Sequence, residues 1–206
     1  MNSLSEIAKL SVTIKELESE KALAFGLCLL ERAMPAFLQY QADTGRIGGG
    51  EMRTALAQCW GSLERPRLDF VSLVSVQECE RVMPDPDASY ASDYTSAAVD
   101  AVNIACNLLV FLESRDLDVI VDSVNSRCDT IELFVQTHSL INTSSHDVDS
   151  ELSDHPMLRQ EFDFIRGDLD FLRSVNARET VLFSSLLERL LTLDYGKLRL
   201  KLPHMA

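Results

Sequence analysis

The sequence predicts an all-α protein: a single compact bundle of about seven or eight helices around a buried central helix at about 96–113. Three observations predict it. The stretch SAAVDAVNIACNLLVFLE, 96–113, is apolar on nearly every side at helical spacing, as a core helix is. Elsewhere apolar positions recur at three and four residues, giving helices with one apolar stripe each, and strand signals are lacking. A chain of 206 residues with 46% hydrophobic content can also bury one large core, so residues 1–195 read as one domain and 196–206 as a short basic tail.

In the central helix Ala98, Ala101, Val102, Ala105, Leu109 and Leu112 share a face, and Val99, Ile104, Leu108, Val110 and Phe111 widen it. Ser96, Asp100, Asn103 and Asn107 fall in one narrow column. That column reads as a solvated stripe or a set of satisfied hydrogen bonds; the sharper reading puts Asp100 in a functional cleft. Interrupted by these groups, the run falls short of the roughly 20 apolar residues a bilayer requires, so no membrane association is expected.

The other elements follow in order. A first helix begins near Ser5 with Leu10, Ile14 and Leu17 as its weak repeat. Ala22, Phe25, Gly26, Leu29, Leu30 and Ala33 make a stronger face running into Pro35, which either kinks that helix or starts a new one. The pattern continues to Thr44, where Gly45 is a natural C-terminal cap. TGRIGGG, 44–50, has the glycines of a phosphate loop but no G-K-[ST], no preceding strand, and Glu51 where an anion would sit, so it reads as a flexible connection. A helix over Glu51–Leu63 carries Met52, Leu56, Cys59 and the single Trp60 on its inner face. Asp69 then caps a helix with Phe70, Leu73, Val74 and Val76 inward, which stops before Pro84 and leads through an irregular segment, 83–93, to the central helix. From about Asp116 a clean amphipathic helix places Ile120, Val124, Cys128, Ile131 and Val135 inside, with Asp118, Asp122, Asn125, Asp129 and Glu132 outside. Residues 137–154 read as the longest loop. Asp147, Asp149 and Glu151 start like a calcium loop, but Leu152 and Leu158 stand where its glycine and closing glutamate belong. Pro156 opens the most regular helix, with the seam Leu158, Phe162, Ile165, Leu169 and Leu172 and an outer ladder of Arg159, Asp163, Arg166, Asp170 and Arg173. The apolar pattern resumes at Leu182, Leu186 and Leu190, so 156–194 is one interrupted helix or two.

Composition narrows function. The net charge of −13 repels a phosphate backbone and argues against nucleic-acid binding. The acid concentrates between Glu113 and Asp170, where 14 Asp and Glu face 4 Arg and no Lys, so a basic protein partner is the expected one. Five single cysteines with no C-x-x-C fit neither a zinc knuckle nor a disulfide framework, and with an amino terminus lacking signal-peptide character they point to the cytoplasm. His138, His146 and His155 are too far apart for a helix-borne metal pair. No G-x-S-x-G elbow, Rossmann fingerprint or adjacent nucleophile and base occurs, so no catalytic, cofactor or metal residue is assigned and the balance leans away from an enzyme.

LCLLERAMP (27–35), Thr44 with Gly45, Trp60, Val99–Ala101 and the P-x-x-x-Q-E-x-D run of Pro156, Gln160, Glu161 and Asp163 occur in an order that resembles the bacterial YjaG-like family. That family has no assigned biochemical function. The resemblance is nearly full-length; it implies a compact all-helical bacterial protein and no activity.

Function is therefore unknown at this stage, with two main readings. The first is a non-enzymatic interaction protein working through its acidic surface. The alternative is a small-molecule or carboxylate-lined enzyme site between helices, built from Glu31, Arg32, Asp100, Asn103 and Glu161, where charge inside apolar runs is costly unless paired. Its bland counterpart is an ion pair that merely ties helices together. A homodimer through the seam after Pro156 is a third reading.

Overall fold

A computed structural model describes residues 3–64, 73–87, 92–138, 148–175 and 181–192. Among these residues nine helices occur and no strand: α1 (Ser3–Lys15), α2 (Ser19–Thr44), α3 (Gly49–Leu63), α4 (Val76–Glu80), α5 (Thr95–Ser114), α6 (Asp118–Thr137), α7 (Val148–Asp154), α8 (Pro156–Ser174) and α9 (Val181–Thr192). The all-α bundle is the fold the apolar periodicity demands.

The apolar run becomes α5, which packs along α2 and α6 and also meets α3 and α4. Ala98, Ala101, Val102, Ile104, Ala105, Leu108 and Phe111 are fully enclosed. Its polar column is half-buried and leans on α6, where Asn107 Nδ2 donates to Ser123 Oγ at 3.3 Å and Asp100 accepts from Thr130 Oγ1 at 2.6 Å. Of the two readings of that column, satisfied hydrogen bonds describe Asp100 and Asn107.

α2 is the second core helix, and it passes through Pro35 without interruption. A proline inside a helix removes one hydrogen bond, but burial of 22–30 on one side of it and of Ala36, Phe37 and Tyr40 on the other holds the chain helical. Gly45 ends it in the left-handed region, φ 68°, donating its N–H to Gln41 O at 2.9 Å. By length and composition α2 and α5 are each able to cross a membrane, so the expectation of a run too short to do so is corrected. What marks them as core helices is that 78% and 67% of their most apolar stretches lie buried inside the protein.

Two further boundaries differ from expectation, and a third is one the sequence leaves open. The described helix after α3 starts at Val76, capped by Ser75, whose Oγ accepts from Glu78 N at 3.2 Å while the Glu78 carboxylate accepts from Ser75 N at 2.8 Å. This reciprocal box satisfies two otherwise orphaned donors. Leu73, expected inside, is exposed, and the expected Asp69 cap lies outside the described residues. The polar segment before Pro156 ends in a helix, α7, that puts Glu151 on a helical turn; Asp147 lies outside the described residues. Finally, α8 stops at Val175 in extended backbone and α9 begins at Val181, so the last region holds two helices. The tail, 196–206, lies outside the described residues.

Candidate functional site

Five residues were picked out as a candidate site, and the structure joins two of them. Arg32 on α2 donates from Nε to Glu161 Oε1 on α8 at 2.9 Å, and the same guanidinium bonds Asp168 Oδ2, two helical turns further along α8. Glu161 Oε2 accepts from Arg127 Nη2 on α6 at 2.9 Å, and Asp168 Oδ1 accepts from Arg189 Nε on α9 at 2.8 Å. The result is an alternating chain, Arg127–Glu161–Arg32–Asp168–Arg189, that ties four helices together. Its middle lies out of solvent: Arg32 and Asp168 are 1% exposed, Arg127 2% and Glu161 3%.

Burial favours the neutral acid, yet the charges of Arg127 and Arg32 outweigh it and hold the Glu161 carboxyl below its usual range. For Arg32, burial works against the charge and Glu161 and Asp168 overcome it, so the guanidinium stays firmly protonated. The Phe164 ring centre lies 5.8 Å from the Arg32 guanidinium carbon, and among the described residues Arg32 Nη2 and Arg127 Nε have no hydrogen-bond partner. With both carboxylates occupied from two sides, this network joins helices and presents no idle acid or base.

Glu31 and Asp100 take other partners. Glu31 accepts from Trp60 Nε1 at 3.0 Å; burial raises its carboxyl and the indole bond opposes the rise. Asn103 sits half-buried on α5, one turn beyond Asp100. Burial pushes the Asp100 carboxyl up to about 6, opposed by the Thr130 bond, reinforced by Asp129 and opposed by Arg127. A raised carboxylate binds more protons in the folded than in the unfolded state, so stability falls as pH rises from about 4 to about 6. Asp100→Asn keeps an acceptor for Thr130 and removes the charge. Allowing for partial exposure, it is expected to gain about 1 kcal/mol near pH 7.5 and nothing near pH 4, read by urea melts at both values. An equal gain at both would refute the charge argument.

The outer face of α6 is one place where the acidic region reaches solvent. Within that region Glu161 and Asp168 are buried, Asp154 pairs with Arg159 at 2.6 Å, and Asp163 pairs with Arg166 at 3.0 Å. Asp118, Asp122, Asp129 and Glu132 recur at four, seven and three residues on α6, and Glu113 and Asp116 stand exposed just before it. Asp118 meets Lys15 Nζ at 2.5 Å at one end of this column. Leu133, 43% exposed, adjoins the other end.

A family model described as "Protein of unknown function (DUF416)" matches residues 9–195. The chain belongs to the DUF416 family. The family match carries that designation and not the YjaG-like name. The chain is also similar to a crystal structure of a DUF416 family protein from Shewanella baltica OS155, with TM-score 0.77, 20% identity, and cover of 88% of this chain and 92% of that one. At that identity the likeness is one of fold. No curated protein matches this DUF416 chain.

Sequence reasoning missed Asp168, Arg127 and Arg189. Two of them carried a signal: Asp168 lies seven residues after Glu161 along the flank of the α8 seam, and Arg127 falls on the inner stripe of α6 between Val124 and Ile131. Burial pushes the thiols of Cys28, Cys59 and Cys128 up, Cys59 to about 12, so these three pack as small hydrophobes. Among the described residues no group of three His, Cys, Asp or Glu converges as a metal-ligand set.

Proposed function

We propose that this DUF416 protein, YjaG-like in its sequence pattern, is a non-enzymatic cytoplasmic protein that docks a basic partner on the outer face of α6. One observation supports the reading: Asp122, Asp129 and Glu132 line that face with no Lys or Arg in the helix outside the buried Arg127, and Leu133 beside them offers an apolar foothold. Charges in this arrangement steer an oppositely charged partner and set its register more than they add affinity. Unlike Asp154 and Asp163, these three have no ion pair among the described residues.

The test is affinity capture from the native cytoplasm with the wild-type chain and with the triple variant Asp122→Asn/Asp129→Asn/Glu132→Gln. A basic protein recovered by the wild type at about 50 mM salt, and lost both at about 500 mM salt and with the variant, is the expected result. Recovery that is indifferent to salt, or to the three substitutions, removes the proposal.

A further inference from the structure

The segment between α2 and α3 is tied to its neighbours by several contacts. Gly45 caps α2, Arg46 N donates to Thr44 Oγ1 at 3.4 Å, and Gln41 Nε2 donates to Arg46 O at 3.3 Å. Gly48, φ 148°, is pressed so closely on the turn after α4 that an added Cβ would lie 2.8 Å from Val82 Cβ. That segment and that turn border a half-open cavity of about 330 Å³, lined by Tyr40, Arg46, Ile47, Gly48, Glu51, Arg81, Val82 and Met83. This is the lower end of the range for small-molecule sites, about 300–1,000 Å³.

Its chemistry is mixed in a specific way. Two guanidinium groups, Arg46 and Arg81, share the cavity with one carboxylate, Glu51, and Ile47, Val82 and Met83 supply apolar wall. Tyr40 is 2% exposed. A dianion such as phosphate suits the arginines but meets Glu51. A ligand that carries both charges suits all of them.

We propose that this cavity binds a free α-amino acid with an apolar side chain. The carboxylate pairs with Arg81, the ammonium with Glu51, and the side chain lies against Val82 and Met83. The site is remote in sequence from the α6 face and independent of the docking reading.

L-Leucine is the probe, titrated into the full chain labelled with ¹⁵N and followed by amide shifts. Saturable shifts confined to 45–52 and 81–83 are expected. Two analogues dissect the claim: 4-methylpentanoate lacks the ammonium and 3-methylbutylamine lacks the carboxylate. Each is expected to bind at least about tenfold more weakly. Arg81→Gln and Glu51→Gln, both at exposed positions, are expected to weaken leucine binding by about tenfold with unchanged thermal melts. The proposal is overturned by absence of saturable shifts up to about 10 mM leucine, by either analogue binding as well as leucine, or by leucine binding that survives both substitutions.

Discussion

Replacing Arg32 with methionine is expected to lower the free energy of unfolding by about 3–5 kcal/mol at neutral pH, the range seen when one member of a buried ion pair is removed. Methionine fills much of the same space, so the loss comes from charge. Glu161 keeps Arg127 and Asp168 keeps Arg189, but each buried carboxylate loses a partner. The pH dependence separates this from simple packing loss. In the wild type Glu161 is held below its ordinary value, so its contribution is complete above about pH 4.5 and is lost as pH falls further. Without Arg32, burial dominates and the carboxyl takes up a proton at higher pH, which relieves part of the cost. The deficit relative to wild type should therefore shrink between about pH 8 and about pH 5. Urea unfolding followed by Trp60 fluorescence at several pH values reads both. A deficit under about 1 kcal/mol, or one constant across that range, would show that the network does not hold the helices together as described.

The same network shows what the sequence could and could not convey. Periodicity locates faces: it placed 96–113 at the centre, the α8 seam inside and its ladder outside, and all of these are so in the structure. It does not say which faces meet. Arg32 and its two carboxylates are 129 and 136 residues apart, and their meeting depends on α8 settling against α2 rather than elsewhere. The reading of Arg32 and Glu161 as a structural pair was available because charge inside apolar helices requires a partner. The membership of Asp168, Arg127 and Arg189 required the packing. Asp100 shows the converse: its position between apolar residues is evident in the sequence, but that its hydrogen-bond partner is the Thr130 hydroxyl, so that charge there is a cost, depends on the packing of α6. That Gly48 lies close against Val82 is likewise not legible in the composition of 44–50.

Glycine elsewhere yields the second large effect, and a control for it within the same fold. Gly26 lies fully inside α2 where α5 and α6 converge, and a Cβ added there would sit 2.2 Å from Leu108 Cδ2 and 3.3 Å from Ile120 Cδ1. Leu108 and Ile120 are themselves fully buried, so neither side chain has room to withdraw. In an open helix Gly→Ala gains about 0.5–1 kcal/mol by reducing the freedom of the unfolded chain. Overpacking a filled core costs about 1–3 kcal/mol, occasionally more. At 2.2 Å the upper figure applies, and Gly26→Ala is expected to be a net loss of about 2 kcal/mol. Gly61 on α3 has nothing within 4 Å of the same added atom, so Gly61→Ala is expected to gain about 0.5–1 kcal/mol. The two substitutions are chemically identical, and their opposite signs in one set of denaturation curves isolate steric closeness from helix propensity. If Gly26→Ala stabilises as Gly61→Ala does, α2, α5 and α6 do not approach one another as closely as the structure has them. The network would then be left to hold helices whose apolar contact is looser than the burial of Leu108 and Ile120 requires.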